Sequence, residues 1–193
     1  NTGVNLFNPG QNPSENLPFL AALACTIKAV DEYADLLRMT TATAGNDHRL
    51  GANEAPPAII SMFLGEDLDK IIHAIIEGAE LENIDKARFQ TGVSVVPDFS
   101  KDNTDRNRTS PFAFTGNKFE YRMPGSSSSI AGCNIVLNTV IADELKEFAD
   151  ILEKAPDFSS ALHALIQGTI KEHKRIIFNG NGYDDSWVEE AKK

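Results

Sequence analysis

Apolar residues recur every three or four positions through much of this chain, a spacing that predicts amphipathic α-helices. The first stripe predicts a helix from about Glu15 to Met39, with Ser14 or Asn16 as its N-cap. Pro156 ends a later helix, and Asp157 is placed to cap the next one. The other stripes are Leu68, Ile71, Ile72, Ile75 and Ile76; Leu137, Ile141, Leu145, Phe148 and Leu152; and Ala161, Leu162, Leu165, Ile166 and Ile170. Helices that are apolar on one face need a second layer to cover that face.

The middle third of the chain has a different pattern. Residues Gly92 to Val96, Phe112 to Thr115 and Lys118 to Met123 are predicted strands, and Thr115–Asn117 resembles a hairpin turn. Residues 40–57 are predicted to form a long loop. The order of helices, strands and helices predicts an α+β fold with one antiparallel sheet and packed helices.

Charge and cysteine usage exclude several classes of function. The chain has 193 residues and a net charge of −10, which argues against a nucleic-acid partner bound by bulk charge. No apolar run approaches the ~20 residues that a membrane helix needs. Cys25 and Cys133 have no metal-site or redox spacing, so we expect a cytoplasmic location. Because the chain begins at Asn1 within Gly- and Pro-rich sequence, we also expect it to be a piece of a longer protein.

Three segments carry residues suited to chemistry. The segment His48–Pro57 places Arg49 and Glu54 on one predicted loop, where an arginine can grip a carboxylate or phosphate and a glutamate can act as a base. The segment Asp105–Phe112 places Arg108 just before a strand, where it could contact phosphoryl oxygens. Taken alone, a surface ion pair and a solvated charged loop are the better interpretations of these two segments.

The third segment is Lys118–Gly125. Strand alternation puts Glu120 and Arg122 on one face and the apolar side chains of Phe119, Tyr121 and Met123 on the other. Such a layout is common in sheets with one solvated face. It also suits a sheet lining a polar cleft, with the glutamate on a metal and the arginine on an anionic substrate.

With these segments the chain resembles glutamine synthetase, most closely the long bacterial type III form. The matching blocks appear in family order and span nearly the whole chain. They are TGVNLFNPG (Thr2 to Gly10), HRLGANEAPPAII (His48 to Ile60), NRTSPFAFTGNKFEYRMPGSSSSIA (Asn107 to Ala131) and HKRIIFNGNGY (His173 to Tyr183).

The resemblance implies an ATP-dependent ligase that phosphorylates glutamate and then lets ammonia displace phosphate from the γ-glutamyl phosphate. Mg²⁺ or Mn²⁺ would be the metal. Residues 1–193 would then be part of the catalytic domain, without the N-terminal domain and upstream active-site strands. The resemblance also implies a double-ring homo-oligomer for the full-length protein and an inactive isolated chain.

The resemblance assigns roles residue by residue. Arg49 and Arg122 match arginines that contact glutamate, and Glu120 matches a metal ligand. Glu54 matches the acidic residue of a flap over the glutamate site that helps deprotonate ammonium. Arg108 matches an arginine that meets the ATP phosphates and assists catalysis.

The sequence leaves two alternative functions open. One is a related ligase that joins glutamate to another amine, and the other is a non-catalytic homologue used in assembly or binding. The five matched residues together argue against a non-catalytic role. The segment Gly65 to Arg88 is either a surface elaboration or a subunit contact.

Overall fold

The computed structural model of the chain describes residues 3–52, 55–78, 88–89, 99–100 and 110–190. Its helices are α1 (Leu17–Glu32), α2 (Ala34–Met39), α3 (Ala44–Arg49), α4 (Glu66–Glu77), α5 (Ala131–Leu152), α6 (Phe158–His173) and α7 (Asp185–Glu190). Its strands are β1 (Met62–Phe63), β2 (Arg88–Phe89), β3 (Phe99–Ser100), β4 (Phe112–Phe114) and β5 (Phe119–Tyr121). Helices packed around a small sheet confirm the predicted α+β class.

The core is organised around α1. The Asn16 side chain caps this helix by accepting a hydrogen bond from the Phe19 N–H, as predicted. The helix packs against α5 and α6. Its fully buried side chains include Phe19, Leu23, Ile27 and Val30. Each buried side chain of this size contributes about 1.5–3 kcal/mol through removal of apolar surface from water.

The helix predicted from Glu15 to Met39 is interrupted at Tyr33. This residue leaves helical geometry, with φ −109° and ψ 23°, and forms the boundary between α1 and α2. Its hydroxyl donates a hydrogen bond of 3.0 Å to Asp143 on α5. A tertiary contact therefore accompanies a break that the apolar periodicity does not reveal.

The main sheet has the order β1-β4-β5 and mixed strand directions. Strands β4 and β5 form the predicted antiparallel hairpin, in which the Thr115 N–H donates to the Lys118 carbonyl and Gly116 takes a φ of +96°. Strand β1 pairs with β4 in parallel, unlike the all-antiparallel expectation. A parallel pair needs a long connection, and the chain between these strands includes α4.

A separate antiparallel pair joins β2 to β3, with Phe89 opposite Phe99. The predicted strand from Gly92 to Val96 lies outside the described residues.

The loop predicted over residues 40–57 contains a helix, so that prediction is wrong for residues 44–49. Thr43 caps α3 by accepting a hydrogen bond from the Asn46 N–H. Asn46 is itself buried and bonded to distant backbone. Local capping and a tertiary anchor together stabilise a helix too short to be marked by apolar periodicity.

The later helices follow the sequence closely. Asp157 caps α6 by accepting hydrogen bonds from the Ser159 and Ser160 N–H groups, as predicted. Within the part of the chain that the structure describes, no helix is both long and apolar enough to cross a membrane.

Candidate functional site

Arg49 lies at the C-terminal end of α3, and its guanidinium group is held on one edge. Its Nε donates to Asn46 Oδ1 at 3.0 Å, and its Nη2 donates to the Met123 carbonyl oxygen at 2.6 Å. The other three N–H donors of this group have no hydrogen-bond partner among the described residues. One of these donors lies on Nη2 and two lie on Nη1. The terminal edge of the guanidinium, formed by Nη1 and Nη2, can therefore bind a carboxylate through two parallel hydrogen bonds.

Glu120 and Arg122 lie together on the polar side of β5. Both Nε and Nη2 of Arg122 donate to Glu120 Oε2, at 3.3 and 3.2 Å. The other carboxylate oxygen of Glu120 is 3.4 Å from Lys118 Nζ. The Glu120 side chain is 41% exposed, whereas that of Arg122 is 12% exposed. The shared side that alternation predicts for these two residues is therefore present, and the carboxylate is open to solvent.

The opposite side of the hairpin is aromatic. Phe119 stacks on Phe112 with ring centroids 5.0 Å apart and meets the edge of Phe7 at 5.2 Å. An apolar cleft borders these rings and the first turns of α5. The Tyr121 hydroxyl donates to the Leu37 carbonyl at 2.8 Å. Aromatic packing thus fixes the hairpin from one side and leaves the other side for charged groups.

The structure brings three of the five predicted site residues into one region. The Met123 carbonyl that binds Arg49 belongs to the residue directly after Arg122, and Arg122 contacts Glu120. Glu54 and Arg108 lie outside the described residues. The described part of the predicted site therefore consists of two arginines and one carboxylate around the end of β5.

A metal ion would need more ligands than this region supplies. Glu120 offers the oxygen chemistry that a hard cation prefers, but its carboxylate is already paired with Lys118 and Arg122. Across the described ranges, no group of three or more His, Cys, Asp or Glu side chains could hold a metal. The described residues therefore do not by themselves form a complete metal site.

A second charged cluster, which the sequence did not reveal, lies on the polar side of α1. Lys28 contacts the buried Glu144 and, at 3.0 Å, Glu147, both on α5. It also contacts Glu32 at 3.1 Å. Burial lowers the pKa of Lys28, but its bonds to the three carboxylates outweigh burial, so the pKa is raised. Burial raises the pKa of Glu144, against the opposing effect of Lys28.

The cluster continues towards the C-terminus. His173 Nδ1 is 2.8 Å from Asp31 Oδ2, and Arg175 Nε donates to Asp31 Oδ1 at 2.9 Å. Asp31 and His173 are both buried. Cys25 lies nearby, and its burial, helped by the charge of Glu144, raises its pKa to about 12. A thiol that stays protonated in this way is structural rather than reactive.

Comparison with known proteins identifies one family, both in a family model and in whole-chain relatives. Residues 161–193 match the family model described as the glutamine synthetase C-terminal domain. The chain is 48% identical over 193 residues to a type-3 glutamine synthetase of Dictyostelium discoideum, covering 98% of this chain and 26% of that protein. It is 47% identical to a glutamine synthetase of Butyrivibrio fibrisolvens, covering 100% of this chain and 27% of that protein.

A glutamine synthetase of Bacteroides fragilis is 41% identical over 199 residues, again covering 100% of this chain and 27% of the relative. The chain thus spans about a quarter of the length of the curated relatives that it matches. These identities extend over the whole chain and confirm the resemblance that its sequence blocks predicted. The chain therefore belongs to the glutamine synthetase family.

Proposed function

We propose that this chain carries part of the active site of an enzyme that ligates ammonia to glutamate at the expense of ATP. The relatives named above carry the name of that enzyme. The observation that carries the proposal is that Arg49 donates to the Met123 carbonyl, which directly follows Arg122, and that Arg122 is paired with Glu120. Two cationic forks and one carboxylate in one region suit an amino-acid substrate that carries two carboxylates and one ammonium group.

The proposal makes residues 1–193 a part of the catalytic domain. The three quarters of the relatives' length that this chain does not cover would supply the N-terminal domain and the upstream strands. Assembly of the full-length protein into a double-ring homo-oligomer is part of the same proposal. Free, buried Cys25 and Cys133 are compatible with the reducing cytoplasm that we expect for it.

Two arginines are proposed to hold glutamate. Arg49 would use the terminal edge of its guanidinium, since the other edge is engaged by Asn46 and Met123. Arg122, mostly buried, would present a cation beside the same substrate. Charge-assisted hydrogen bonds from a planar guanidinium fix both the position and the orientation of a carboxylate.

The remaining roles concern the phosphoryl transfer. Glu120 is proposed as a ligand of Mg²⁺ or Mn²⁺, and such an ion would offset the negative charge between ATP and the glutamate side chain. Arg108 is proposed to meet the ATP phosphates and stabilise transition-state charge, and Glu54 to help deprotonate ammonium. The pairing of Glu120 with Lys118 and Arg122 would have to rearrange when the other ligands are in place.

Steady-state kinetics of the full-length enzyme test this assignment through two lysine substitutions. Arg122→Lys keeps the charge but loses the planar fork, so we expect the KM for glutamate to rise by about 10- to 100-fold while the KM for ATP changes little. Arg108→Lys should instead lower kcat, because its proposed contacts strengthen in the transition state.

Identical kinetic profiles for the two variants would contradict the division of roles. The same assay run with ammonia and with a diamine separates the proposed ligase from one that uses another amine. Absence of glutamate-dependent phosphate release from ATP with either amine would support a non-catalytic homologue.

A further inference from the structure

Asn46 occupies the junction between α3 and the chain that follows β5. Its Nδ2 donates to the Thr41 carbonyl at 2.9 Å and to the Met123 carbonyl at 3.0 Å, and its Oδ1 accepts from Arg49 Nε. The residue is 5% exposed. Both amide protons and the amide oxygen are therefore used, and two of the three bonds reach groups at the predicted site.

The Met123 carbonyl is the second half of this junction. It accepts one hydrogen bond from Asn46 and one from Arg49, so both of its lone pairs are occupied. Asn46 and Met123 thus hold adjacent nitrogens of one guanidinium edge. Their bonds fix the plane of the Arg49 side chain and the direction in which its terminal edge points.

The backbone at Gly125 approaches the Asn46 side chain closely. A Cβ atom added to Gly125 would lie 3.1 Å from Asn46 Oδ1, closer than most real Cβ contacts. The segment from Arg122 to Gly125 is therefore held against α3 both by hydrogen bonds and by close approach. One amide side chain connects the position of Arg49 to that of the residues around Arg122.

We propose that Asn46 is a positioning residue for glutamate binding, which sets Arg49 and the end of β5 at the spacing that the substrate carboxylate needs. This inference rests on the proposed function. Asn46 contacts no substrate itself and acts through Arg49 and the Met123 carbonyl. Displacement of a binding group by about 1 Å is enough to weaken catalysis on the order of 100-fold, so such a support has measurable consequences.

The test is a double-mutant cycle in the full-length enzyme, using Asn46→Ala, Arg49→Ala and the double variant. We expect Asn46→Ala to raise the KM for glutamate by about tenfold and Arg49→Ala by more, with less than about a twofold change in the KM for ATP. Because Asn46 acts in part through Arg49, the KM of the double variant should rise by clearly less than the product of the two single effects. If Asn46→Ala caused structural damage independent of Arg49, its effect on the KM for glutamate would instead multiply that of Arg49→Ala.

Asn179→Ala is the matched control. Asn179 also makes three hydrogen bonds, to the Leu64 and Gly65 N–H groups and to Asp69, at 2.8 to 2.9 Å. We expect this control to lower stability without changing the KM for glutamate. If Asn46→Ala does not fold, Gly125→Ala tests the same junction, because the new methyl group displaces Asn46 without removing it.

The outcomes separate this inference from the function on which it rests. If Arg49→Ala leaves the KM for glutamate unchanged, the proposed substrate contact is wrong. If Arg49→Ala raises it and Asn46→Ala does not, or if the two effects multiply, the positioning role is wrong while the proposed function stands. A control that raises the KM as much as Asn46→Ala would also overturn the positioning role.

Discussion

Single charged residues in this chain act in two different settings. At the end of β5, the Glu120 carboxylate is 41% exposed and its pairing with Arg122 can exchange for other partners. Between α5 and α1, by contrast, the Glu144 carboxylate is 2% exposed and Lys28 is its cationic partner. Exposed pairs add little stability, whereas breaking a buried pair leaves a charge without compensation. Mutations in the two clusters should therefore have different effects. Changes at Glu120 should alter activity, and changes at Lys28 or Glu144 should alter stability.

Replacing Lys28 tests the buried cluster. Lys28→Met should lower the free energy of unfolding by about 3 kcal/mol at pH 7, because Glu144 stays buried without its cation. Lys146→Met is the control, since the Lys146–Asp150 pair is exposed, and should cost about 0.5 kcal/mol or less. Adding Glu144→Leu to Lys28→Met should recover most of the loss. Urea unfolding followed by circular dichroism measures all four proteins, and an unstable double variant would contradict this account.

The same variant has a predictable pH dependence. Burial already holds the pKa of Glu144 above its usual value of 4.5, and loss of Lys28 removes an effect that lowers it. A carboxyl with a raised folded-state pKa makes the folded state bind more protons, so stability falls as pH rises above about 4.5. The deficit of Lys28→Met should therefore be large at neutral pH and shrink as the solution is acidified.

At the scale of elements, short-range signals in the sequence were sufficient for some features and not for others. The caps at Asn16 and Asp157 act within three residues of themselves; Asp157 was predicted, and Asn16 was one of two predicted candidates. Helix α3 was missed because its anchor, the bond from Asn46 to Met123, spans 77 residues. The parallel pairing of β1 with β4 is likewise non-local. Sequence patterns report on residues that are close along the chain, whereas α3 and the β1–β4 pairing depend on tertiary contacts.

The candidate site shows the same division. Strand alternation alone placed Glu120 and Arg122 on one side, which the structure confirms. Arg49 was singled out by its sequence block, but Asn46 lies before that block, and nothing in the sequence separates it from the other asparagines. Its importance comes from the partners that folding brings to it.

The cap of α6 provides an element-scale prediction. Hydrogen bonds from the Ser160 hydroxyl and from the Ser160 and Ser159 N–H groups lower the pKa of Asp157 below 3.8. A lowered folded-state pKa gives stability that is present above the unfolded value and is lost as pH falls through the folded value. Asp157→Ala should therefore destabilise the chain at pH 7, and the difference from the unmodified chain should decrease below about pH 3.8.

Urea midpoints measured from pH 7 to pH 3 check this prediction. Asp157→Asn is the informative companion, since asparagine also caps helices but does not titrate. It should keep much of the stability at pH 7 and show a weaker pH dependence. A constant difference between Asp157→Ala and the unmodified chain at every pH would show that the charge of Asp157 does not contribute.

At the scale of the whole molecule, the proposed active site is larger than this chain. Among the described residues, Glu120 is the one predicted metal ligand, and no cluster of three ligating side chains is present. Mg²⁺ sites rely on one or two carboxylates together with substrate phosphates and water. The chain also spans only about a quarter of the length of its relatives. This short span predicts a chain without complete chemistry.

We therefore expect the isolated 193-residue chain to show no glutamine synthetase activity and to bind Mg²⁺ weakly. Its packed core around α1 should still let it fold, so circular dichroism should show a cooperative unfolding transition. The measurement is a phosphate-release and γ-glutamyl transfer assay on the chain beside the full-length protein, with calorimetric titration of Mg²⁺. A misplaced reacting group costs on the order of 100-fold per ångström, and absent groups cost more. Turnover by the isolated chain within about tenfold of the full-length protein, a difference of only ~1.4 kcal/mol in the barrier, would place the active site entirely within these residues and overturn this account.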